Sequence, residues 1–223
     1  MARAKSGART AIFILKMKIT ALKLQARNKS RVNVYLDGRF AFGLAKIEAA
    51  RLRLGQELDE AAIARVKKAD EVAQAYERAL KLLATRPRSE AEVRRRLSEH
   101  EVAEPVREEV LARLRRAGLA DDGAFANYWV ENRAAFRPRS RRALLAELKR
   151  KGVAGDALKQ AVAGVNDAEA AYQVAAQRAR RLRTLPRPEF RRKLGQFLAR
   201  RGFDYETIEP ILERVWKEVQ AGE

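Results

Sequence analysis

Cysteine is absent from this 223-residue sequence, and histidine occurs once, as His100. Without cysteine the chain has no disulfide, no thiolate nucleophile and no zinc site built on cysteine. A single histidine also excludes the usual histidine-rich metal sites and argues against a histidine-based catalytic triad. We find no paired carboxylates or metal ligands on one predicted helix face. We therefore expect a protein that is not an enzyme and that needs no cofactor or metal.

Long apolar runs are missing as well. No stretch approaches the ~18 apolar residues that a membrane-spanning helix needs. The short run Ala11–Leu15 follows basic residues, but it has neither the length nor the cleavage site of a secretion signal. We expect a cytoplasmic monomer with no membrane partner. Residues 1–16 would form a basic flexible tail, and Met17 offers an alternative start.

Acidic residues are outnumbered by basic ones. The sequence has 48 lysines and arginines against 29 aspartates and glutamates, which gives a formal net charge of +19. A charge of this size attracts polyanions and opposes self-association. Hydrophobic residues still make up 47% of the chain, which is enough for a folded core. The composition thus indicates a folded partner of a polyanion.

Strand-like sequence is confined to the N-terminal part of the chain. Two short runs rich in Val, Leu and Phe flank Asp37-Gly38, a dipeptide typical of a type I′ hairpin turn. A two-residue loop there would place Tyr35 opposite Phe40. The sequence predicts a cap of two or three strands over about residues 18–43.

The rest of the chain has helical composition and an internal repeat of about fifty residues. Pro87, Pro138 and Pro188 lie 51 and 50 residues apart, and the same offsets align five apolar columns. Each repeat predicts three helices. The fold class is therefore mainly α, with tandem three-helix repeats in an elongated, curved array and a small N-terminal β-hairpin or sheet cap. The predicted domains are 17–70 (hairpin plus helices), 71–121, 122–166 and 167–223.

Capping residues support the predicted helix starts. Ser89 with Glu92 has the spacing of a capping box, in which each side chain satisfies an amide of the first turn. Asp121 and Asp122 are placed to cap the helix that carries Trp129. A metal site at this aspartate pair is the alternative, and the cap is the better interpretation.

Glycines mark two of the predicted helix ends. Gly152 and Gly202 follow basic residues and precede an apolar one, a pattern typical of a left-handed helix stop. Glu101 stands at the equivalent position of the first repeat, so that helix end is less clearly marked. Pro210 lies inside the last predicted helix, which implies a kink or a late start.

Basic residues cluster around the second helix of each repeat. A solvated surface is the simplest explanation, but stacked repeats would bring equivalent turns to one face. Guanidinium groups suit phosphate oxygens, and repeated phosphate contacts bind nucleic acid without reading its sequence. We call the following residues the predicted basic face: Arg86, Arg88, Arg94, Arg95, Arg137, Arg139, Arg141, Arg142, Lys149, Arg150, Lys151, Arg187, Arg191, Arg192, Lys193, Arg200 and Arg201.

Aromatic residues offer a second means of binding nucleic acid. Trp129 and Trp216 could stack on bases. Both lie at helical spacing among apolar neighbours, so we interpret them as core side chains. His100, near a predicted helix end, is interpreted as a capping or exposed residue.

Three segments resemble the RecX family of regulatory proteins. They are Leu82–Val93, with its Arg-Pro-Arg-Ser turn, Gly118–Ala126, with Asp-Asp-Gly, and Phe197–Phe203, with Arg-Arg-Gly-Phe. The resemblance covers about residues 70–220, and Glu101, Pro210 and the basic tail depart from it. It implies a modulator, chiefly an inhibitor, of the RecA recombinase that binds within the RecA–single-stranded DNA filament. Such a protein would influence recombination, DNA repair and the SOS response.

Two other functions stay open at this stage. Three-helix units resemble helix-turn-helix modules, so the chain could bind duplex DNA without a recombinase partner. Against this, its basic residues crowd turns and helix ends, and no helix has the mixture of side chains expected to read base edges. A nuclease or glycosylase would need the carboxylate or metal cluster that we do not find.

Overall fold

The structure is a computed structural model and describes residues 16–221. The predicted basic tail therefore lies outside the described residues, apart from Lys16. The described chain forms four strands, β1 (Met17–Leu24), β2 (Arg31–Leu36), β3 (Arg39–Ala45) and β4 (Glu57–Leu58). Its helices are α1 (Lys46–Ala49), α2 (Glu60–Leu83), α3 (Glu90–Glu99), α4 (Glu104–Arg116), α5 (Asp122–Phe136), α6 (Arg141–Arg150), α7 (Gly155–Ala163), α8 (Asp167–Ala179), α9 (Arg187–Arg200) and α10 (Tyr205–Ala221).

The chain is mainly helical, as predicted, and divides into two compact units. One unit holds the described residues up to Arg78 together with Val102–Val110, and the other holds Ala79–Glu101 and the chain from Leu111 onward. Between residues 16 and 221, no helix is long and apolar enough to cross a membrane.

The N-terminal sheet confirms the predicted hairpin and is larger than expected. Asp37 and Gly38 have φ of 48° and 82°, as a type I′ turn requires. Tyr35 pairs with Phe40, and their rings meet edge to face with centroids 6.0 Å apart. The antiparallel strand order is β3-β2-β1-β4. The prediction of at most three strands was wrong because β4 has only two residues, too few to show an alternating pattern.

The sheet packs its apolar face into the core of the first unit. Val32, Val34 and Leu36 alternate along β2 and are buried, as one face of a strand should be. Asp70 of helix α2 joins the sheet to that helix. Its carboxylate accepts hydrogen bonds from the Arg31 guanidinium at 3.0 Å and the Ala45 amide at 2.5 Å.

The repeats place matching apolar residues in the core. Leu97, Leu148 and Leu198 are each at most 1% exposed, in agreement with the predicted columns. The alignment fails in the third helix of the middle repeat, where Ala161 and Val165 are only half-buried. Helix α7 ends at Ala163, before Val165, so other side chains of that helix fill the core. They are Leu158 and Val162.

The helix ends follow most of the predicted signals. Gly152 and Gly202 have φ of 85° and 91°, which confirms the left-handed stops. Glu101 adopts the same left-handed region, with φ of 57°, although it has a Cβ. Helix α10 begins at Tyr205 and continues through Pro210, so the prediction of a late start was wrong.

The capping prediction at Ser89 is half correct. Its hydroxyl accepts a hydrogen bond from the Glu92 amide at 3.2 Å, as an N-cap does. The Glu92 carboxylate does not complete the reciprocal box, because it binds Arg86 and Lys151 instead. Two cations outcompete a single neutral amide for a carboxylate.

Candidate functional site

Successive second helices of the repeats meet end to end in the second unit. The Ser89 hydroxyl, at the start of α3, donates a hydrogen bond to the carbonyl oxygen of Lys151, at the end of α6. The Ser140 hydroxyl, at the start of α6, donates in the same way to the carbonyl oxygen of Gly202, after α9. Each serine thus caps its own helix and holds the end of the next repeat's second helix. We call these two contacts the first and the second joint.

Glycine allows the close approach at both joints. A Cβ on Gly152 would lie 2.3 Å from the Cβ of Ala91, and one on Gly202 would lie 2.7 Å from the Cβ of Ala143. Real Cβ atoms do not come this close, so each position needs glycine for space as well as for positive φ. Glu101 belongs to the first repeat, which has no earlier second helix to meet, and there only the backbone conformation is kept.

Aspartates from neighbouring helices complete the capping at both joints. The Asp122 carboxylate accepts a hydrogen bond from the Glu90 amide at 2.9 Å, and that of Asp167 accepts one from the Arg141 amide at 2.7 Å. Burial raises the pKa of Asp122. Asp121 caps its own helix α5, as predicted, through the Gly123 and Ala124 amides. Among residues 16–221, no group of three potential ligands is arranged to hold a metal ion.

A groove of about 530 Å³ lies at the first joint, and much of its lining is basic. It brings Arg95 of the first repeat beside Lys149, Arg150 and Lys151 of the second. Arg95 is more than fifty residues away in sequence from the other three, which are consecutive. The contact between the repeats therefore brings these four cations into one groove.

Trp129 lies in this groove, but its ring is already covered. The Lys151 ammonium is 4.1 Å from the ring centroid and the Arg133 guanidinium carbon is 4.2 Å from it. The indole N–H donates to the Glu147 carboxylate at 2.8 Å. The ring also packs against the core cluster around Phe125, in agreement with the core interpretation. Trp129 is thus occupied by the protein's own side chains.

Two buried carboxylates organise the cations of the groove. Burial alone would raise the pKa of Glu92, but hydrogen bonds from Arg86 and Lys151 outweigh it and lower that pKa to about 2. Burial of Glu147 is likewise outweighed by hydrogen bonds from Arg133 and Trp129, so its pKa is also lowered. Both groups therefore stay ionised at neutral pH and hold their cations in place.

Many members of the predicted basic face are engaged within the protein. Seven form ion pairs with carboxylates: Arg86 and Lys151 with Glu92, Arg95 with Glu99, Arg139 with Glu147, Arg187 and Arg191 with Glu213, and Lys193 with Glu189. Four donate to backbone carbonyls: Arg88, Arg141, Arg142 and Arg201. Arg94 is half-buried and is also engaged within the protein. Twelve of the seventeen residues of the predicted basic face are therefore engaged within the protein.

Five cations are left for other partners. They are exposed and form no ion pair or hydrogen bond within the part of the chain that the structure describes. Four of them lie beside a joint: one follows α5, two are in the last turn of α6 and one ends α9. We call these five the open cations: Arg137, Lys149, Arg150, Arg192 and Arg200.

The second joint gathers a further group of arginines. The Arg201 guanidinium donates to the carbonyl oxygen of Pro138 at 2.9 Å and lies 4.6 Å from the Phe197 ring centroid. Burial lowers the pKa of Arg201, and the charges of Arg139 and Arg137 lower it further. Arg139 is paired with Glu147 and Arg201 with a backbone carbonyl, so Arg137 is the open cation of this group.

Models of all four RecX domains match the chain. The RecX N-terminal domain matches residues 17–59, and the first, second and third three-helix domains match residues 75–114, 121–162 and 166–212. The chain belongs to the RecX family. The resemblance inferred from three short segments thus extends over most of the sequence, including the N-terminal sheet.

Relatives of known name agree with this assignment. The regulatory protein RecX of Limosilactobacillus reuteri (strain DSM 20016) is 34% identical over 204 residues, which are 89% of this chain and 76% of that protein. The Bacillus subtilis (strain 168) protein of the same name is 29% identical over 205 residues, 88% of this chain and 76% of that one.

Solved RecX structures are similar to this one. A crystal structure of regulatory protein RecX has 32% identity and a TM-score of 0.71, covering 88% of this chain and 99% of that one. RecX from Lactobacillus salivarius has 23% identity and a TM-score of 0.57 over 66% of this chain and 97% of that one, a likeness of fold.

Proposed function

We propose that this protein regulates the RecA recombinase, chiefly as an inhibitor, by binding the RecA–single-stranded DNA filament through the open cations of its repeats. Its membership of a family whose members are named regulatory proteins supports the proposal. In this proposal the protein acts as a cytoplasmic monomer, makes or breaks no bond and uses no cofactor. Its action on the filament would influence recombination, DNA repair and the SOS response.

One observation carries the proposal: equivalent ends of two second helices present open cations. Arg150 and Arg200 lie fifty residues apart, each as the last residue of its helix. A helix C-terminus favours cations, so these side chains are stable there without a carboxylate partner. Repeated at each joint, they offer phosphate contacts at intervals along the array, which suit a nucleic-acid backbone.

The charged side chains of helix α6 favour contact with phosphates over recognition of bases. The exposed charged side chains at the ends of α6 are Arg141, Arg142, Lys149 and Arg150. A helix that reads duplex DNA presents a mixture of asparagine, glutamine and arginine side chains to base edges, whereas α6 has no asparagine or glutamine. This arrangement favours a partner recognised by its backbone. A sequence-dependent affinity for duplex DNA would favour the duplex-binding alternative.

The experiment is the DNA-dependent ATPase activity of RecA at physiological salt, with and without this protein. We expect added protein to lower the activity, and the Arg150→Ala/Arg200→Ala variant to lower it less. The Lys159→Ala/Lys217→Ala variant removes the same charge from the third helices and should act like the parent. An ATPase rate that is indifferent to the protein contradicts the proposed function.

A further inference from the structure

Two aromatic rings at the second joint are open to solvent. Phe136 is 77% exposed and Tyr205 is 73% exposed, the highest values among the large hydrophobic residues of the described chain. Neither ring contacts another aromatic ring or a cation in residues 16–221, in contrast to the covered ring of Trp129. Exposed rings of this size are costly in water, so a partner that covers them would gain affinity.

Both rings lie next to the contact between the second and third repeats. Phe136 ends helix α5, two residues before Pro138, whose carbonyl oxygen accepts a hydrogen bond from Arg201. Tyr205 begins helix α10, three residues after Gly202, whose carbonyl oxygen binds Ser140. The two aromatics therefore flank one joint on its two chain segments.

Two open cations lie beside the same joint. Arg137 directly follows Phe136, and Arg200 ends the helix before Tyr205, and both are open cations. Surfaces that bind single-stranded nucleic acid combine such cations with aromatic rings on which bases stack. A duplex cannot use these rings, because its base faces are already stacked inside the helix.

We propose that Phe136 and Tyr205 stack on unpaired bases of a single strand whose phosphates contact Arg137 and Arg200. This inference rests on the proposed function and adds to it the reason for choosing a single strand over a duplex. The cations supply affinity that any polyanion shares. The two rings supply the part of the affinity that depends on open bases.

Binding to three probes tests the inference: an oligothymidine strand, an abasic phosphodiester strand of the same length, and a duplex. We expect Phe136→Ala and Tyr205→Ala each to weaken binding to oligothymidine about tenfold, within the range known for base stacking on aromatic rings. Binding to the abasic strand and to the duplex should not change. Both side chains are exposed, so thermal unfolding should match the parent.

Matched variants separate stacking from a general loss of apolar surface. Phe136→Trp and Tyr205→Trp keep a flat ring and should keep the parent's affinity for oligothymidine. Phe40→Ala removes another exposed ring, 60% exposed, from the N-terminal sheet and should have no effect. An equal effect of Phe40→Ala would overturn the assignment to this joint.

Other results distinguish failure of this inference from failure of the proposed function. Equal weakening on the abasic strand, or no weakening on oligothymidine, overturns the stacking role while leaving RecA inhibition intact. Variants that bind all three probes normally but bind DNA-free RecA less tightly would make the two rings a protein-docking surface, which also overturns it. A parent protein that binds no single strand and does not inhibit RecA overturns both proposals.

Discussion

The Ser89 hydroxyl donates a hydrogen bond to the carbonyl oxygen of Lys151 at 2.5 Å, although the two residues are 62 positions apart. Ser140 makes the equivalent contact to Gly202 at 2.7 Å, over the same separation. Each serine therefore accepts a hydrogen bond from one unpaired amide in the first turn of its own helix. Its hydroxyl also joins that helix to the next repeat. Each joint places the cations in the last turn of one second helix beside the start of the second helix of the preceding repeat.

The glycine at the first joint should be hard to replace. Gly152→Ala adds a methyl group 2.3 Å from the Cβ of Ala91 and also strains a positive φ. We expect it to lower the free energy of unfolding by about 3 kcal/mol, combining about 1–2 kcal/mol for the backbone with about 1–3 kcal/mol for overpacking. Urea unfolding measures the change.

Gly155→Ala is the matched control for that variant. Gly155 also has positive φ, 61°, but a Cβ there would meet nothing within 4 Å. It should show the backbone cost of about 1–2 kcal/mol alone. Adding Ala91→Gly to Gly152→Ala should recover part of the loss. Equal effects at the two glycines would contradict the close approach at the joint.

Leu148 should be essential to the core of the middle repeat. It is fully buried in the cluster with Phe125 and Val153. Leu148→Ala should lower the free energy of unfolding by about 2–5 kcal/mol through the cavity it leaves. Leu119→Ala, at a side chain that is 45% exposed, is the control and should cost much less. A melting temperature of Leu148→Ala equal to the parent's would show that the repeat alignment is wrong.

The Glu92 ion pairs should make stability depend on pH in the acid range. Burial would raise the Glu92 pKa, but hydrogen bonds from Arg86 and Lys151 lower it from 4.5 to about 2. Because the pKa of Glu92 is lower in the folded state, its ionised carboxylate stabilises the protein at pH values above 4.5. This contribution is lost as the pH falls through about 2. The stability difference between the parent and Glu92→Gln should thus shrink between about pH 4.5 and pH 2.

Urea unfolding of both proteins across that pH range checks the prediction. Glu99→Gln is a suitable control, because Glu99 makes its ion pairs on an exposed part of α3. It should show a smaller change with pH than Glu92→Gln does. A parent-to-variant difference that stays constant from pH 5 to about pH 2 would contradict the role of the Glu92 ion pairs.

The open cations should set the salt dependence of DNA binding. Arg150→Ala/Arg200→Ala should reduce the slope of log affinity for a single strand against log salt by about 0.7 for each lost phosphate contact. Lys159→Ala/Lys217→Ala carries the same change in net charge and should keep the parent's slope. If both double variants lower the slope equally, the affinity reflects net charge and not these positions.

Local sequence signals were sufficient for much of the fold. Asp37-Gly38 predicts its hairpin because both residues can adopt positive φ, and Asp121 predicts its cap because its carboxylate reaches amides two and three residues later. The fifty-residue offset also placed Leu97 and Leu148 correctly in buried columns. The hairpin and the cap depend on residues that are close in sequence, and the buried leucines occupy equivalent positions of the repeat.

The composition of the basic face could not be read from the sequence. Lys151 pairs with Glu92, 59 residues away, and Arg191 pairs with Glu209 and Glu213 of another helix. A count of charges along the chain treats these cations as available, whereas packing neutralises them. The open rings of Phe136 and Tyr205 were overlooked for a similar reason. A helical pattern does not tell which residues at helix ends stay uncovered.

In the proposed function, the protein acts on an assembled RecA filament and not only on free DNA. Contacts between charges and phosphates weaken steeply with salt, whereas apolar and hydrogen-bonded contacts to protein subunits are screened less. The two activities should therefore respond differently to ionic strength.

The most direct measurement titrates salt against both activities of the parent protein: inhibition of preformed RecA filaments, and binding to free single-stranded DNA. We predict that inhibition persists at salt concentrations that abolish binding to the free strand. If the two activities vanish together, the protein competes for naked DNA, and regulation through contacts with the filament is contradicted.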